Sequence, residues 1–596
     1  MKKIRTIIKA CTLICTIALL LILSGCVDIL DKDNLNAVNP GQVWSDPISA
    51  NAYLFNIYNG QMPGNVSGTG NSTDEAYEPH GTTDGWLLGT ATYDSYNIWN
   101  SCYSSIRTIN ILLDNIDNAT FDETAKKQIK AQGLFWRAWV YYKLVKSYGG
   151  VPLILSSQQP TSDLTKLQVP RSKTSECISQ IIQDLDDAAT DLPDNWTGSD
   201  FGKISKTAAL AFKGRVLLFF ASPLWEGKVG VTWQNAYDAN KAALDQCTKS
   251  GNSLYPVYED IWDKQPNSEA IMLRQYKYPD AAYYQNAVRP INYSGADWGH
   301  DMPTLDLAEA FPMKDGSAWT DGSRDLATLF KNRDQRFYAT IYYNGDTVQY
   351  IADMKTNNEY LWTYFTSISD LNTLGQGVQG TNNNVNLYQA QGYITESSFY
   401  RIKSIDKTVT RANAPNGYCT VAGVGLRYAE VLLNFGEAAS QIGKGNEAMD
   451  ALRKIRQRAE IQPGADNNYG LKVTSLSSAT EFMTAFLNER YVEFAFEGLR
   501  WDDLRRNKQF GYLRSLPQRH GLVIVLKPGE SGVNKADKIS NPAIYNKFTY
   551  TKVGLDRKDI AIKDQFYIYG IPTSILSQNT LLEQNNNWGG NFVLLE

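Results

Sequence analysis

Histidine is scarce in this chain: its 596 residues include only His80, His300 and His520. No H-E-x-x-H, G-x-S-x-G or G-x-x-x-x-G-K-[ST] motif occurs, so the sequence has no zinc-peptidase, serine-hydrolase or P-loop signature. A glycosidase needs only two carboxylates, which these absences do not exclude. Nothing in the sequence marks such a pair, so we predict no catalytic residues, no metal site and no cofactor.

Cysteine is also sparse. Two of the seven lie in the first 25 residues and a third is Cys26. The others have no C-x-x-C pairing and no histidine at zinc-finger spacing. The sequence does not show which of these cysteines would pair in an oxidising compartment. We expect most of them to be buried and to pack like small hydrophobic side chains. They are Cys102, Cys177, Cys247 and Cys419.

The chain lacks basic blocks. Lys and Arg number 58 against 62 Asp and Glu, which gives a formal net charge of −4. Nucleic acid is therefore not an expected partner. Aromatic residues are plentiful, with 35 Tyr and 14 Trp.

The N-terminal apolar run, residues 10–23, is too short to span a bilayer as a helix, which takes roughly 20 residues. It follows four basic residues and precedes Leu23-Ser24-Gly25-Cys26, a pattern that resembles a bacterial lipobox. We therefore predict a signal peptide at 1–25 and a lipidated tether at 26–40 that begins with Cys26. The alternative is an ordinary secreted protein with a chance cysteine at this position.

Helical periodicity marks much of the mature chain. The segments 126–148 and 172–193, 205–221 and 233–247, and 426–443 and 446–460 read as helix pairs, and 96–116 is expected to pair with 47–59. Small residues flank the turn of the third pair, as in tetratricopeptide repeats. By contrast, 256–425 and 511–596 are rich in turn signals, apart from a short strand at 522–526. Long irregular segments on a regular scaffold are frequent binding surfaces.

One segment, 487–506, is predicted as a helix with a charged stripe. Arg490, Glu493, Glu497, Arg500 and Asp503 recur three or four residues apart. Glu493 and Glu497 could be imagined as an acid/base pair, but carboxylates bracketed by arginines stay ionised. A structural ion-pair network is the favoured interpretation.

Short sequence blocks with a recognisable order and spacing run along nearly the whole mature chain. They include Arg137-Ala138, Tyr148-Gly149-Gly150-Val151-Pro152-Leu153, Gly214-Arg215-Val216-Leu217-Leu218, Arg427-Tyr428-Ala429-Glu430-Val431-Leu432-Leu433, Glu497-Gly498 with Arg500-Trp501, and Ile571-Pro572. In these blocks the chain resembles the SusD/RagB family of Bacteroidetes surface lipoproteins. Two departures affect only local packing: Gln335 replaces a usual proline and Asn507 a usual tryptophan.

The resemblance implies a mainly α fold, in which four tetratricopeptide-like helix pairs form a scaffold beside an irregular, loop-rich lobe. We assign 41–596 to one composite domain, with the scaffold at about 41–255 and 426–510 and the lobe at about 256–425 and 511–596. The resemblance also implies a lipid anchor in the outer membrane, facing the cell exterior, and a partner, a SusC-like TonB-dependent transporter. Ligands of this family are most often glycans and in some members peptides.

A glycan site needs flat aromatic rings beside carboxylates and amides. The candidates are aromatic and acidic residues in irregular segments, together with a predicted strand, 359–365, that places Tyr360, Trp362 and Tyr364 on one face. Each of these rings has core packing as its alternative. The predicted ligand-binding residues are Asp74, beside Glu75, and Trp86, Tyr283, Tyr284, Tyr293, Asp297, Trp298, Tyr360 and Trp362.

Three functions remain open from the sequence. The first is a glycan-capturing lipoprotein that serves a transporter. The second keeps the fold and the partner but binds peptides. The third, a polysaccharide-degrading enzyme, is disfavoured because no catalytic site is marked.

Overall fold

The computed structural model describes residues 43–65, 70–78, 84–285, 288–289, 300–320, 324–347, 360–361, 363–365, 397–410, 412–533, 542–556 and 558–595. The signal peptide, Cys26 and the tether lie outside these residues.

Antiparallel helices form the scaffold. The helices are α1 (Pro47–Gln61), α2 (Trp99–Ile116), α3 (Glu123–Tyr148), α4 (Thr174–Asp191), α5 (Lys206–Ala221), α6 (Trp233–Lys249), α7 (Leu305–Ala310), α8 (Gln335–Thr340), α9 (Tyr428–Gln441), α10 (Gly445–Arg458), α11 (Ala479–Glu493), α12 (Arg500–Arg506), α13 (Phe510–Ser515), α14 (Pro542–Tyr545) and α15 (Thr573–Gln578). From α2 to α6, each helix packs on the next one along the chain. Helix α9 packs on α6, α10 and α11.

Local sequence sets the ends of α3, the longest of the described helices. The Asp122 side chain accepts a hydrogen bond from the Ala125 amide at its start, and Gly149, at φ 76°, ends it in a conformation that favours glycine. Trp136 is fully buried and Trp139 nearly so. The predicted helix at 126–148 is thus confirmed. Helix α1 contacts both α2 and α3, whereas α2 packs mainly on α3 rather than pairing with α1 alone.

Helices α9 and α10 approach each other closely because their facing residues are small. A Cβ atom at Gly436 would lie 2.6 Å from the Ala451 Cβ, which is closer than real contacts allow. Ala438, Ala439 and Ala448 are fully buried along the same hairpin. This confirms the packing expected from the tetratricopeptide-like pattern.

The predicted single helix at 487–506 is wrong. Helix α11 ends at Glu493 and α12 begins at Arg500, with a tight turn between them. In that turn Phe496 adopts φ 62° and Gly498 adopts φ 77°, so the helical path is interrupted. The Phe496 amide is held by the Glu75 carboxylate from far along the chain, a tertiary contact that helical periodicity does not encode.

Short antiparallel strand pairs make up the regular β structure of the described residues. The strands are β1 (Ala76–Tyr77), β2 (Ala270–Arg274), β3 (Met302–Pro303), β4 (Ile341–Tyr342), β5 (Asp346–Thr347), β6 (Tyr360–Leu361), β7 (Tyr400–Arg401), β8 (Gly423–Arg427), β9 (His520–Leu526) and β10 (Phe548–Gly554). They pair as β1 with β3, β2 with β8, β4 with β7, β5 with β6 and β9 with β10.

The described residues contain two main hydrophobic cores, which we call the scaffold core and the lobe core. The lobe core joins α7, β9 and β10 to the end of α11. The segment 560–594, which we assigned to the lobe, instead contributes Phe566, Tyr567 and Ile571 to the scaffold core. The four cysteines described, Cys102, Cys177, Cys247 and Cys419, are buried, as expected, and none of them is paired with another. Within the described residues, no helix is long and apolar enough to cross a membrane.

Candidate functional site

The predicted carboxylates Asp74 and Glu75 lie in the core. Asp74 is fully buried, and Arg500 donates to both of its oxygens, from Nε at 2.9 Å and from Nη2 at 2.7 Å. Burial raises the pKa of Glu75 to about 8. Both predicted carboxylates are thus buried rather than exposed, and they connect this N-terminal loop to Arg500 of α12 and to Phe496 in the turn before it.

Trp86 is half-buried in an aromatic cluster. Its ring centroid lies 4.8 Å from that of Tyr569, 5.1 Å from Phe566 and 6.3 Å from Trp501. These partners belong to the scaffold core or pack against it. The geometry favours the packing alternative for Trp86, and none of these ring contacts joins it to Tyr283 or Tyr284.

Tyr283 and Tyr284 are brought together with further tyrosines. Tyr283 exchanges two backbone hydrogen bonds of 3.1 Å with Cys419, and its hydroxyl accepts from Asn65 at 2.9 Å. Its ring centroid lies 4.4 Å from that of Tyr276. Tyr284, by contrast, is 66% exposed. Tyr283 therefore anchors this segment, while Tyr284 presents its ring to solvent.

A stacked pair completes this surface. The rings of Tyr278 and Tyr418 are nearly parallel, at 15°, with centroids 4.3 Å apart. Tyr278 is 46% exposed, and its hydrogen bond with Tyr418 raises its pKa. We call the five residues Tyr276, Tyr278, Tyr283, Tyr284 and Tyr418 the tyrosine platform.

Backbone contacts fix the tyrosine platform to the scaffold. Residues 276–284 form a hairpin closed by paired hydrogen bonds between Lys277 and Ala281. The Tyr276 hydroxyl lies so close to Gly64 that a Cβ atom there would be 2.8 Å away. Gly64 is in turn pressed against Gly423 of β8. The platform is therefore supported on rigid elements, which limits the entropy lost when a ligand binds.

Of the other predicted positions, Tyr293, Asp297, Trp298 and Trp362 lie outside the described residues. The backbone of Tyr360 is in β6, paired with β5. Tyr364, expected on the same exposed face, is instead fully buried, with its ring 4.7 Å from that of Phe548.

Two carboxylates of the charged stripe, Glu493 and Glu497, belong to one ion-pair network, whereas Arg490 pairs with Asp503 and Arg500 with Asp74. Glu493 is fully buried and accepts hydrogen bonds from Arg336, Arg427 and Arg458. Burial alone would raise its pKa, but Arg458, Arg427 and Arg336 hold that pKa well below its usual value. Glu497 accepts from Arg427 and from Lys403 at 2.7 Å. This arrangement supports a structural role, because an acid/base pair needs a group that exchanges protons near neutral pH.

A metal centre finds no support in the part of the chain that the structure describes. No group of three or more histidine, cysteine, aspartate or glutamate side chains there is arranged to hold an ion.

Comparison with known proteins gives two family matches. A model described as "SusD family" matches residues 259–588, more than half of the chain. A second, described as "Starch-binding associating with outer membrane", matches residues 33–218.

Two curated relatives come from Formosa agariphila. SusD-like protein P38 is 22% identical over 82% of this chain and 89% of its own length. SusD-like protein P2 is 23% identical over 69% of this chain and 71% of its own length.

Solved structures share the fold. A SusD-like protein from Bacteroides fragilis aligns with a TM-score of 0.71 and 22% identity, over 93% of this chain and 99% of its own. A SusD-like carbohydrate binding protein from the same organism aligns with a TM-score of 0.68 and 20% identity, over 90% of this chain and 99% of its own. A protein described as a laminarin binding SusD-like protein aligns with a TM-score of 0.54 and 18% identity, over 90% of this chain and 98% of its own. Together with the family match over more than half of its length, these findings show that the chain belongs to the SusD family.

Proposed function

We propose that this protein is a non-enzymatic, cell-surface lipoprotein that captures a glycan on its tyrosine platform. The observation that carries the proposal is the exposed ring of Tyr278, stacked on the half-buried ring of Tyr418, together with the exposed ring of Tyr284 in the same hairpin. Relatives with the same fold are described as carbohydrate binding, laminarin binding and surface glycan-binding proteins, which supports the same ligand class for this chain.

The chemistry of the tyrosine platform suits sugars. A pyranose ring presents an apolar CH face, which stacks on an aromatic ring, and an edge of hydroxyl groups. Tyrosine supplies both halves of that contact, since its ring is apolar and its hydroxyl donates and accepts hydrogen bonds. Two adjacent exposed tyrosine surfaces would therefore hold neighbouring sugar units without changing either of them chemically.

The tether and the partner complete the proposal. Cys26 would carry the lipid that holds the protein at the outer membrane with its ligand face outward. More than one acyl chain gives stable anchoring, whereas a single chain binds only marginally. The captured glycan would pass to a SusC-like TonB-dependent transporter, the partner that the family resemblance implies.

Affinity electrophoresis tests the binding claim. Wild-type protein is run through gels that contain starch, laminarin, xylan, mannan or pectin, and we expect retardation by at least one. Tyr278→Ala and Tyr418→Ala should lose most of that retardation while they keep the wild-type melting temperature.

Tyr93→Ala is the matched control. Tyr93 is 39% exposed and lies beside Trp588 instead of the tyrosine platform, so its loss should leave retardation unchanged. Binding of a peptide mixture with no polysaccharide retained would replace the proposal by the peptide alternative. New reducing ends after incubation with a retained polysaccharide would contradict the non-enzymatic assignment.

A further inference from the structure

A cavity of about 260 Å³ lies beside the tyrosine platform, between the end of α1 and the loop before α5. Its volume is slightly below the ~300 Å³ at which pockets for drug-sized ligands begin, so it suits one small ring. The lining residues include Phe55, Asn59, Ser199, Phe201, Arg274 and Gln275. We call this cavity the scaffold pocket.

One wall of the scaffold pocket is aromatic and open to solvent. Phe55 is 45% exposed, although it lies on α1, whose Leu54 and Ile57 are buried in the scaffold core. The Lys203 ammonium lies 5.4 Å from the Phe55 ring centroid and also forms an ion pair with Asp200. The exposed part of the Phe55 ring offers an apolar surface on which a ligand ring can stack.

Another part of the lining is polar and preorganised. The Arg274 guanidinium donates to the Asn59 Oδ1 at 2.7 Å and to the Asn59 and Met62 carbonyls at 3.4 Å. Among the described residues, no carboxylate forms an ion pair with it, so these neutral acceptors leave its charge uncompensated. The Gln275 side chain is oriented by donating to the Phe201 carbonyl at 2.8 Å. Hydroxyl groups of a sugar edge are suitable partners for an amide and a guanidinium fixed in this way.

The scaffold pocket and the tyrosine platform are continuous along the chain. Arg274 ends β2, and Tyr276 of the platform follows two residues later, a separation of at most about 7 Å. The Arg274 guanidinium also lies 5.5 Å from the Tyr276 ring centroid. The Arg274 side chain therefore lines the scaffold pocket and also contacts the tyrosine platform, so a linear ligand that lies across Arg274 would touch both surfaces.

We infer that the scaffold pocket is a second subsite that binds one sugar unit of the same glycan, with Phe55 as its stacking surface and Asn59, Arg274 and Gln275 along its polar edge. This inference rests on the proposed function, since it extends the ligand of the tyrosine platform. It makes the ligand an oligosaccharide chain rather than a single sugar, because two separate surfaces are engaged. Joining two weak contacts through one chain raises the overall affinity without any new type of contact.

Isothermal titration with oligosaccharides of increasing length tests the inference. The probes are malto-oligosaccharides if starch retards the wild-type protein, laminari-oligosaccharides if laminarin does, and fragments of the retained polymer in the other cases. Wild-type affinity should rise once the chain is long enough to reach the pocket. Phe55→Ala and Asn59→Ala should weaken binding of the long chains by roughly tenfold and leave short chains within about twofold of wild type.

The outcomes separate this inference from the proposed function. Tyr278→Ala should weaken binding of short and long chains alike, whereas the pocket variants should affect only long ones. Equal affinity of wild type and both pocket variants for every length would overturn the second subsite and leave the tyrosine platform intact. An equal loss at every length with an unchanged melting temperature would also overturn it. If no polysaccharide in the panel retards the wild-type protein, the proposed function fails and the subsite with it.

Discussion

Replacing Glu493 by glutamine should destabilise the fold and leave glycan binding intact. Glu493 lies in a buried network whose five cations and five carboxylates balance in charge. Glutamine keeps the size of the side chain but removes its charge, so the buried arginines around it are left with one uncompensated positive charge. The network consists of Lys403, Arg336, Arg427, Arg456 and Arg458 with Asp334, Glu269, Glu489, Glu493 and Glu497.

The expected loss of stability follows from the buried positive charge that Glu493→Gln leaves unpaired. Breaking a buried ion pair by removal of one partner typically destabilises by about 3–5 kcal/mol. With an unfolding entropy of ~2.1 cal/mol/K per residue, a chain of 596 residues has roughly 1.25 kcal/mol/K in total, so this loss should lower the melting temperature by about 2–4 °C. Differential scanning calorimetry at pH 7 measures this change.

Acidification supplies a second measurement with a defined sign. The pKa of Glu493 is held well below its usual value of 4.5 in the folded protein. Its contribution to stability is therefore fully present above pH 4.5 and is lost as the pH falls towards the folded pKa. The difference in melting temperature between wild type and Glu493→Gln should be largest near neutral pH and shrink below pH 4.5.

An exposed glutamate provides the matched control. Glu123 forms an ion pair with Lys126, but its side chain is 76% exposed, so Glu123→Gln should change stability by less than about 1 kcal/mol. The reasoning is refuted if Glu493→Gln melts like the wild type. Loss of glycan binding with unchanged melting would assign Glu493 to the ligand site.

The remaining predictions concern the anchor and two tryptophans. Cys26→Ala should release the protein from the outer membrane, and retention of that variant after a carbonate wash would refute lipidation. Trp139→Ala should cost about 3–5 kcal/mol, measured by denaturant unfolding, because this nearly buried ring packs 4.7 Å from that of Phe212. Trp86→Ala should lower the melting temperature and keep glycan retardation, since its ring contacts are with Tyr569 and Phe566; normal melting with lost retardation would make Trp86 a ligand contact.

The sequence predicts the scaffold well because helical periodicity is a local signal. Helix α4, expected within 172–193, is observed at Thr174–Asp191, and α6, expected at 233–247, at Trp233–Lys249. The strand expected at 522–526 is part of β9, His520–Leu526. A short continuous run of β-branched and aliphatic residues is enough to predict it.

The candidate site was predicted only in part because its contacts join distant segments. The backbone pairing of Tyr283 with Cys419 brings the Tyr418 ring onto the Tyr278 ring. No local sequence pattern near residue 418 indicates that Tyr418 contacts Tyr278. The sequence predicts Asp74 as an exposed loop carboxylate. Its burial depends on the ion pair with Arg500, which lies 426 positions further along the chain and is therefore not visible in the local sequence. Tyr276 and Tyr278 lie in the same tyrosine-rich segment as Tyr283 and Tyr284. A count of aromatic residues across 276–284 would therefore have identified all four.

A crystal structure with the shortest oligosaccharide that binds the wild-type protein would show whether the tyrosine platform holds the glycan. We expect a sugar ring stacked on Tyr278 or Tyr284, with the Tyr278–Tyr418 pair still in place beneath it. A longer chain should add a second sugar unit against Phe55. A ligand held by the Trp86 cluster, or anywhere away from the tyrosine platform, would show that the binding site lies elsewhere.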